Sequence, residues 1–142
     1  NWFKQTITKH IHVEDFHFSE EINQYTISYS TTIKNSAGDV IGVLGTRFNW
    51  QFVEEIIKNA KTSEHGKIYL LNKEGKNIAT NNNQYEIFKD LSNHEAFKKI
   101  KANEDYGYTI TKTGSTTQIQ GFAKTKGYNS YKGKEWSVIV IE

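Results

Sequence analysis

The 142 residues contain no cysteine, which excludes a disulfide framework and any thiolate metal site. Cysteine-free chains occur in every compartment, so this absence leaves an extracytoplasmic location open. No apolar run approaches the roughly 20 residues that a bilayer-spanning helix requires; residues 138–141 are typical of the longest. No signal-peptide pattern is read in these residues; if the chain is an ectodomain, its membrane helices are expected in flanking sequence. Arginine occurs once, at Arg47, beside 17 lysines. No nucleophile elbow, phosphate-binding loop or zincin helix occurs. The adjacent acids Glu14-Asp15, Glu20-Glu21, Glu54-Glu55 and Glu104-Asp105 are chain neighbours, not a pair held across a cleft for general acid–base work. The chain is therefore expected not to be an enzyme.

What is present describes a folded domain. Aromatic residues make up 13%, which excludes a disordered tail. A chain of this length buries roughly 68–70% of its unfolded surface. The net charge is +2, with lysines interleaved among acids. No basic face of nucleic-acid-binding density results, and no nucleic-acid partner is expected.

Hydrophobic alternation defines the elements. Tyr25, Ile27, Tyr29, Thr31 and Ile33 alternate with Thr26, Ser28, Ser30 and Thr32, the period of a half-buried strand. Asn35-Ser36-Ala37-Gly38-Asp39 supplies turn chemistry, since Asn and Gly tolerate positive φ, and a second strand, 40–48, leaves it. Residues 1–9 are expected to end a helix, 11–19 to form a strand and 20–24 a polar turn. Asn49 is suited to cap a helix over 50–61, with Trp50, Val53, Ile57 and Ala60 as its apolar stripe. Residues 67–72 and 77–80 form a hairpin around Glu74-Gly75, 94–102 a helix, and 106–112, 117–124 and 135–142 three strands. The element order repeats, and the segment from Gly38 to Val43 echoes that from Gly133 to Val138. The expected class is α+β in two modules, 1–61 and 62–142; a single larger sheet is the alternative.

Four segments in this order resemble the Cache family, the PAS-like extracytoplasmic sensor domains of bacterial receptors. They are Trp2-Phe3, the strand–turn–strand ending in Gly42-Val43-Leu44-Gly45, the hairpin at Tyr69-Leu70-Leu71-Asn72-Lys73-Glu74-Gly75-Lys76, and the closing segment from Gly121 to Val138 with Tyr128, Tyr131, Gly133 and Trp136. The resemblance covers almost the whole chain. It implies antiparallel sheets flanked by helices. Residues 1–61 would be the C-terminal part of a membrane-distal module plus a connecting helix, and 62–142 the membrane-proximal module. The first module would then be incomplete at its N-terminus. The resemblance further implies a ligand-sensing ectodomain of a chemoreceptor, sensor kinase or cyclic-dinucleotide enzyme. Such a domain is periplasmic or extracellular, carries no cofactor, is held by flanking transmembrane helices and is a homodimer in the full receptor.

Arg47 is the candidate anion partner, because a guanidinium grips a planar carboxylate through two parallel hydrogen bonds and an ammonium does not. Gly45, two residues earlier on the same face, leaves space above the strand. The alternative is a strand-end arginine paired with Asp15 or a nearby glutamate. Trp2, Tyr25 and Tyr29 are candidates for an apolar wall, against plain strand packing for the two tyrosines. Within the Cache resemblance, Trp2 matches a tryptophan that helps to hold amino-acid ligands. Phe3 replaces the usual tyrosine, and Asp15 lies where an acidic pocket residue is common. Arg47 stands where an aspartate receives the ligand's amine. An ammonium beside a guanidinium is repelled, so a carboxylate or neutral metabolite is expected rather than an α-amino acid.

His10, His12 and Glu14 alternate at a spacing that suits metal ligation. His17 is expected on the opposite face and no further partner is evident, so an exposed polar face without metal is expected. Downstream, Tyr69, Tyr106, Tyr108, Phe122 and Lys124 either surround a smaller cavity or fill a core. Two alternatives to sensing stay open. One is a dimerisation or protein-docking module of a membrane receptor. The other is a cytosolic PAS domain holding haem or flavin.

Overall fold

The computed structural model describes residues 2–60, 62–82, 84–129 and 131–142. Asn1 and Lys61, the outermost positions expected for the first two helices, lie outside them. The chain divides into two compact units, Asn1–Phe52 and Val53–Glu142.

In the first unit, helix α1 (Trp2–Lys9) leads through His10, at φ +64°, into strand β1 (Ile11–Ser19). Strands β2 (Gln24–Lys34) and β3 (Val40–Arg47) complete an antiparallel sheet of order β1-β2-β3. The β2–β3 turn closes on Asn35, whose Oδ1 accepts from the amides of Ala37 (3.0 Å) and Asp39 (2.8 Å). Gly38 takes φ +92° there, which a side chain would resist. Ser28 pairs with Arg47 and Ser30 with Gly45, so Arg47 shares the face of the β2 hydroxyl row.

Strand β1 breaks its own alternation. Glu14 pairs with Ser28 but His17 with Thr26, so three steps along β1 match two along β2. This β-bulge is tied by Asp15, whose Oδ1 accepts from the Phe16 amide at 2.8 Å. The bulge brings Phe16 onto the face of Tyr25 and Trp50, at ring-centroid distances of 5.0 and 4.5 Å. Phe16, Ile27 and Trp50 are buried. The other face carries α1, joined to the sheet by a buried contact of 2.6 Å between Thr6 Oγ1 and Ser30 Oγ. Helix α2 (Gln51–Asn59) begins as the sequence predicts, with the Gln51 amide donating to Asn49 Oδ1 at 3.1 Å.

The second unit holds strands β4 (Lys67–Leu71) and β5 (Asn77–Thr80), helix α3 (Glu95–Lys101), and strands β6 (Tyr106–Thr113), β7 (Thr116–Lys124) and β8 (Ser137–Ile141). The strands form a separate antiparallel sheet of order β5-β4-β8-β7-β6, not an extension of the first. Ala96, Phe97 and Ile100 of α3 join Tyr69, Leu71, Phe122 and Ile139 in its core. Asn72 repeats the part of Asn35, accepting from the amides of Glu74 (3.1 Å) and Lys76 (2.9 Å), with Gly75 at φ +83°. The recurring device is thus the turn at 35–39 and 72–76. Gly133, expected to echo Gly38, likewise takes a positive φ (+78°) in a connection before a strand, here the one between β7 and β8. Among the described residues no helix is long and apolar enough to cross a membrane.

Candidate functional site

A cavity of about 380 Å³ opens on the first sheet, with lining from α1, all three strands and the β1–β2 turn. That size suits a small metabolite. Trp2 lies over Gly45, where an added Cβ would stand 3.5 Å from the indole ring. Strand β2 supplies Ser28 and Ser30. Strand β1 supplies His12 and Glu14 before its bulge, and His17 and Ser19 after it. Glu20 and Glu21 approach from the β1–β2 turn, and Arg47 from the end of β3.

Two pairs of charged or titratable groups in the lining meet one another. The Arg47 guanidinium donates to the Glu21 carboxylate, and the Arg47 side chain is only 33% exposed. This is the glutamate-paired arginine of the alternative expectation, and it also lines the cavity. Glu14 lies 3.6 Å from His17 Nε2, while His17 Nδ1 lies 2.7 Å from the Asp15 carbonyl oxygen. Three carboxylates and one guanidinium therefore share the lining. Among the described residues no group of three or more His, Asp or Glu is placed to hold a metal ion.

Of the six site residues expected from sequence, Trp2, Tyr29 and Arg47 belong to the lining, and Phe3, Asp15 and Tyr25 do not. The difference follows from register. Arg47 pairs with Ser28, and alternation turns the Tyr25 and Tyr29 side chains to the opposite face. Tyr25 packs there on Phe16 and Phe18. Tyr29 meets the cavity from its place in the chain between Ser28 and Ser30. Asp15 is used by the bulge. Phe3 sets its edge against the Trp2 ring, at 5.9 Å between centroids, and is itself exposed. His17, expected on the far face, is carried by the bulge to the side of Glu14.

Sequence reasoning missed Ser19, Glu20, Glu21, Ser28, Ser30 and Thr46, and took His12 and Glu14 for an exposed polar face. The available signal was the unbroken hydroxyl row from Thr26 to Thr32, which a sheltered face must satisfy with polar partners.

The second unit separates its expected cavity residues. Phe122 pairs with Gly107 on the α3 side. Alternation sends Tyr106 and Tyr108 outward, to 78% and 69% exposure. Tyr69 is a core residue whose hydroxyl donates to Glu86 at 2.9 Å. Burial, reinforced by that carboxylate, pushes its phenol up to about 12. Burial also lowers the pKa of His94, with Lys89 adding to the effect and Gln120 opposing it.

No protein-family model and no curated protein matches the chain. Solved structures do match over nearly its full length. The ligand-binding domain of the Pseudomonas aeruginosa PAO1 amino acid chemoreceptor PctC, in complex with GABA, aligns at TM-score 0.70 and 19% identity, over 99% of this chain and 59% of that one. The sensory domain of the Campylobacter jejuni chemoreceptor Tlp3 with isoleucine bound aligns at 0.67 and 20%, over 99% and 52%. The extracellular domain of mmHK1S-Z2, described as a histidine kinase, aligns at 0.67 and 16%, over 99% and 53%. This chain thus spans little more than half the length of these domains. Across identities this low it is the architecture that is shared: antiparallel sheets flanked by helices, in the fold of the Cache-type sensor domains of bacterial receptors.

Proposed function

We propose that this chain is part of the extracytoplasmic ligand-sensing domain of a bacterial transmembrane receptor, with the cavity beneath Trp2 as its binding site. One observation carries the reading: the only guanidinium of the chain lines a cavity of metabolite size together with Trp2, Ser28 and Ser30, in a fold that solved chemoreceptor domains share. The ligand is a small carboxylate that takes the place of Glu21 at Arg47.

Ligands that also bear an ammonium fit this proposal. Their exclusion rested on repulsion by Arg47, and Glu21 now offsets that charge. Glu14 and Glu20 offer it further partners in the lining. The solved relatives include domains with isoleucine, asparagine and GABA. Binding biases the receptor by the difference in affinity between its two states. The full receptor is proposed to be a homodimer anchored by flanking membrane helices.

A thermal-shift screen with small carboxylates, amino acids and sugars, repeated on Arg47→Ala, tests the site. A carboxylate hit should raise the midpoint by mass action and fade in the variant. A hit unchanged in the variant removes Arg47 from the site. A second reading, a docking or dimerisation module, draws support from the exposed Tyr106, Tyr108, Ile110 and Ile119 on β6 and β7. It gains if no compound class shifts the midpoint.

A further inference from the structure

The second unit carries a different concavity. Val53–Glu142 holds fourteen lysines and eleven acids, a net charge of +3, whereas Asn1–Phe52 has a net charge of −1. The surplus is not spread evenly. Lys73, Lys101, Lys124 and Lys132 line one cavity of about 340 Å³ whose only acid is Glu135. They come from four separate places: the β4–β5 turn, the end of α3, the end of β7, and the 125–136 connection. The fold brings these four lysines, distant in sequence, to the wall of one cavity.

We propose that this cavity is an anion site for a phosphate group, free or carried by a lipid headgroup. Elsewhere in the unit ion pairs range from 2.6 Å (Lys98–Glu95) through 2.7 Å (Lys89–Glu86) and 3.1 Å (Lys99–Glu104) to 3.9 Å (Lys76–Asp90). Of the cavity lysines, Lys73 lies 3.7 Å from Glu74 and Lys124 lies 3.5 Å from Asp105. Among the described residues neither Lys101 nor Lys132 forms an ion pair.

The rest of the lining suits the same ligand. Phe97 and Ile100, both buried in the core, form an apolar part of the wall, and such a wall strengthens a charge contact by excluding water. Asn103 accepts from Lys124 through Oδ1 at 2.9 Å, which leaves its NH2 group as a donor. Lysines are point charges without the planar fork of arginine. Several converging on one hollow match a multiply charged tetrahedral oxyanion better than a single carboxylate.

The test uses the whole chain and Lys101→Gln/Lys132→Gln, whose exposed side chains carry no packing role. Inorganic phosphate is titrated by calorimetry against sodium chloride of equal ionic strength. Sedimentation is followed with phosphatidylglycerol and with phosphatidylcholine vesicles. Saturable phosphate binding, or binding to the anionic vesicles alone, is expected, with a loss of about tenfold in affinity in the double variant. The probe that binds identifies the source of the phosphate. Binding of neither probe beyond its control, or equal binding by the variant, overturns the proposal.

Discussion

Arg47 and Glu21 form an ion pair that joins the last residue of β3 to the β1–β2 turn, and both line the cavity of the first unit. A carboxylate of the protein itself thus occupies the group that a ligand carboxylate would seek. Glu21→Ala removes the competitor. A pair open to solvent on its Glu21 side contributes less than about 1 kcal/mol, so the melting midpoint should barely move. Affinity for a carboxylate ligand should rise by up to about fivefold. Calorimetry with the best hit of the ligand screen measures this. Unchanged or weaker binding would show that Glu21 does not compete.

Thr6 and Ser30 carry the contact between α1 and the sheet. Each keeps a second partner, Thr6 with the Trp2 carbonyl at 2.8 Å and Ser30 with the His12 carbonyl at 3.3 Å. Thr6→Val should therefore destabilise by about 1 kcal/mol, the net value of one hydrogen bond. Ser30→Ala should act similarly, and the double variant should lose less than the two together. Strict additivity in denaturant unfolding would mean that the hydroxyls do not couple.

The two Asn-anchored turns offer an internal comparison. Gly38 and Gly75 share a positive φ, but an added Cβ meets open space at Gly38. At Gly75 it would meet the Phe97 ring at 2.9 Å and the Ser92 backbone at 3.0 Å. Gly38→Ala should cost about 1 kcal/mol, the left-handed backbone penalty alone. Gly75→Ala should cost a further ~2 kcal/mol from overpacking. Equal losses in thermal or denaturant melts would refute the steric distinction.

Much of this architecture is legible in the chain itself. The alternation of β2, the Asn35 and Asn72 turns and the Asn49 cap all depend on neighbours within five residues. The composition of the cavity was not legible, because it depends on which strand faces meet. Whether Arg47 joins Ser28 or Tyr29 is fixed by pairing across the turn, including a register shift between Ile33 and Lys34. Glu21 is distant from Arg47 in sequence, and no local pattern links them.

His94 gives the second unit a pH dependence. Burial, foremost, holds its folded pKa below about 6.5, so the unfolded chain takes up the proton first as pH falls. The stabilisation from its neutral form is complete above about pH 6.5 and is lost as pH drops through that value toward the folded one. Denaturant unfolding at about pH 7.5 and about pH 5.5 should show a lower stability at the acid end. His94→Gln should lack that part of the slope. An identical slope in the variant would assign the loss to other groups.

The bulge at Asp15 means that β1 carries two numbering conventions in a single strand. Even positions line the cavity before it, and odd positions after it. A homologue whose strand lacks the extra residue could present the same faces with one amino acid fewer. An ungapped alignment of the two would count Phe16 among the cavity positions and His17 among the core ones, and any lining inferred from such a comparison would be inverted for half the strand.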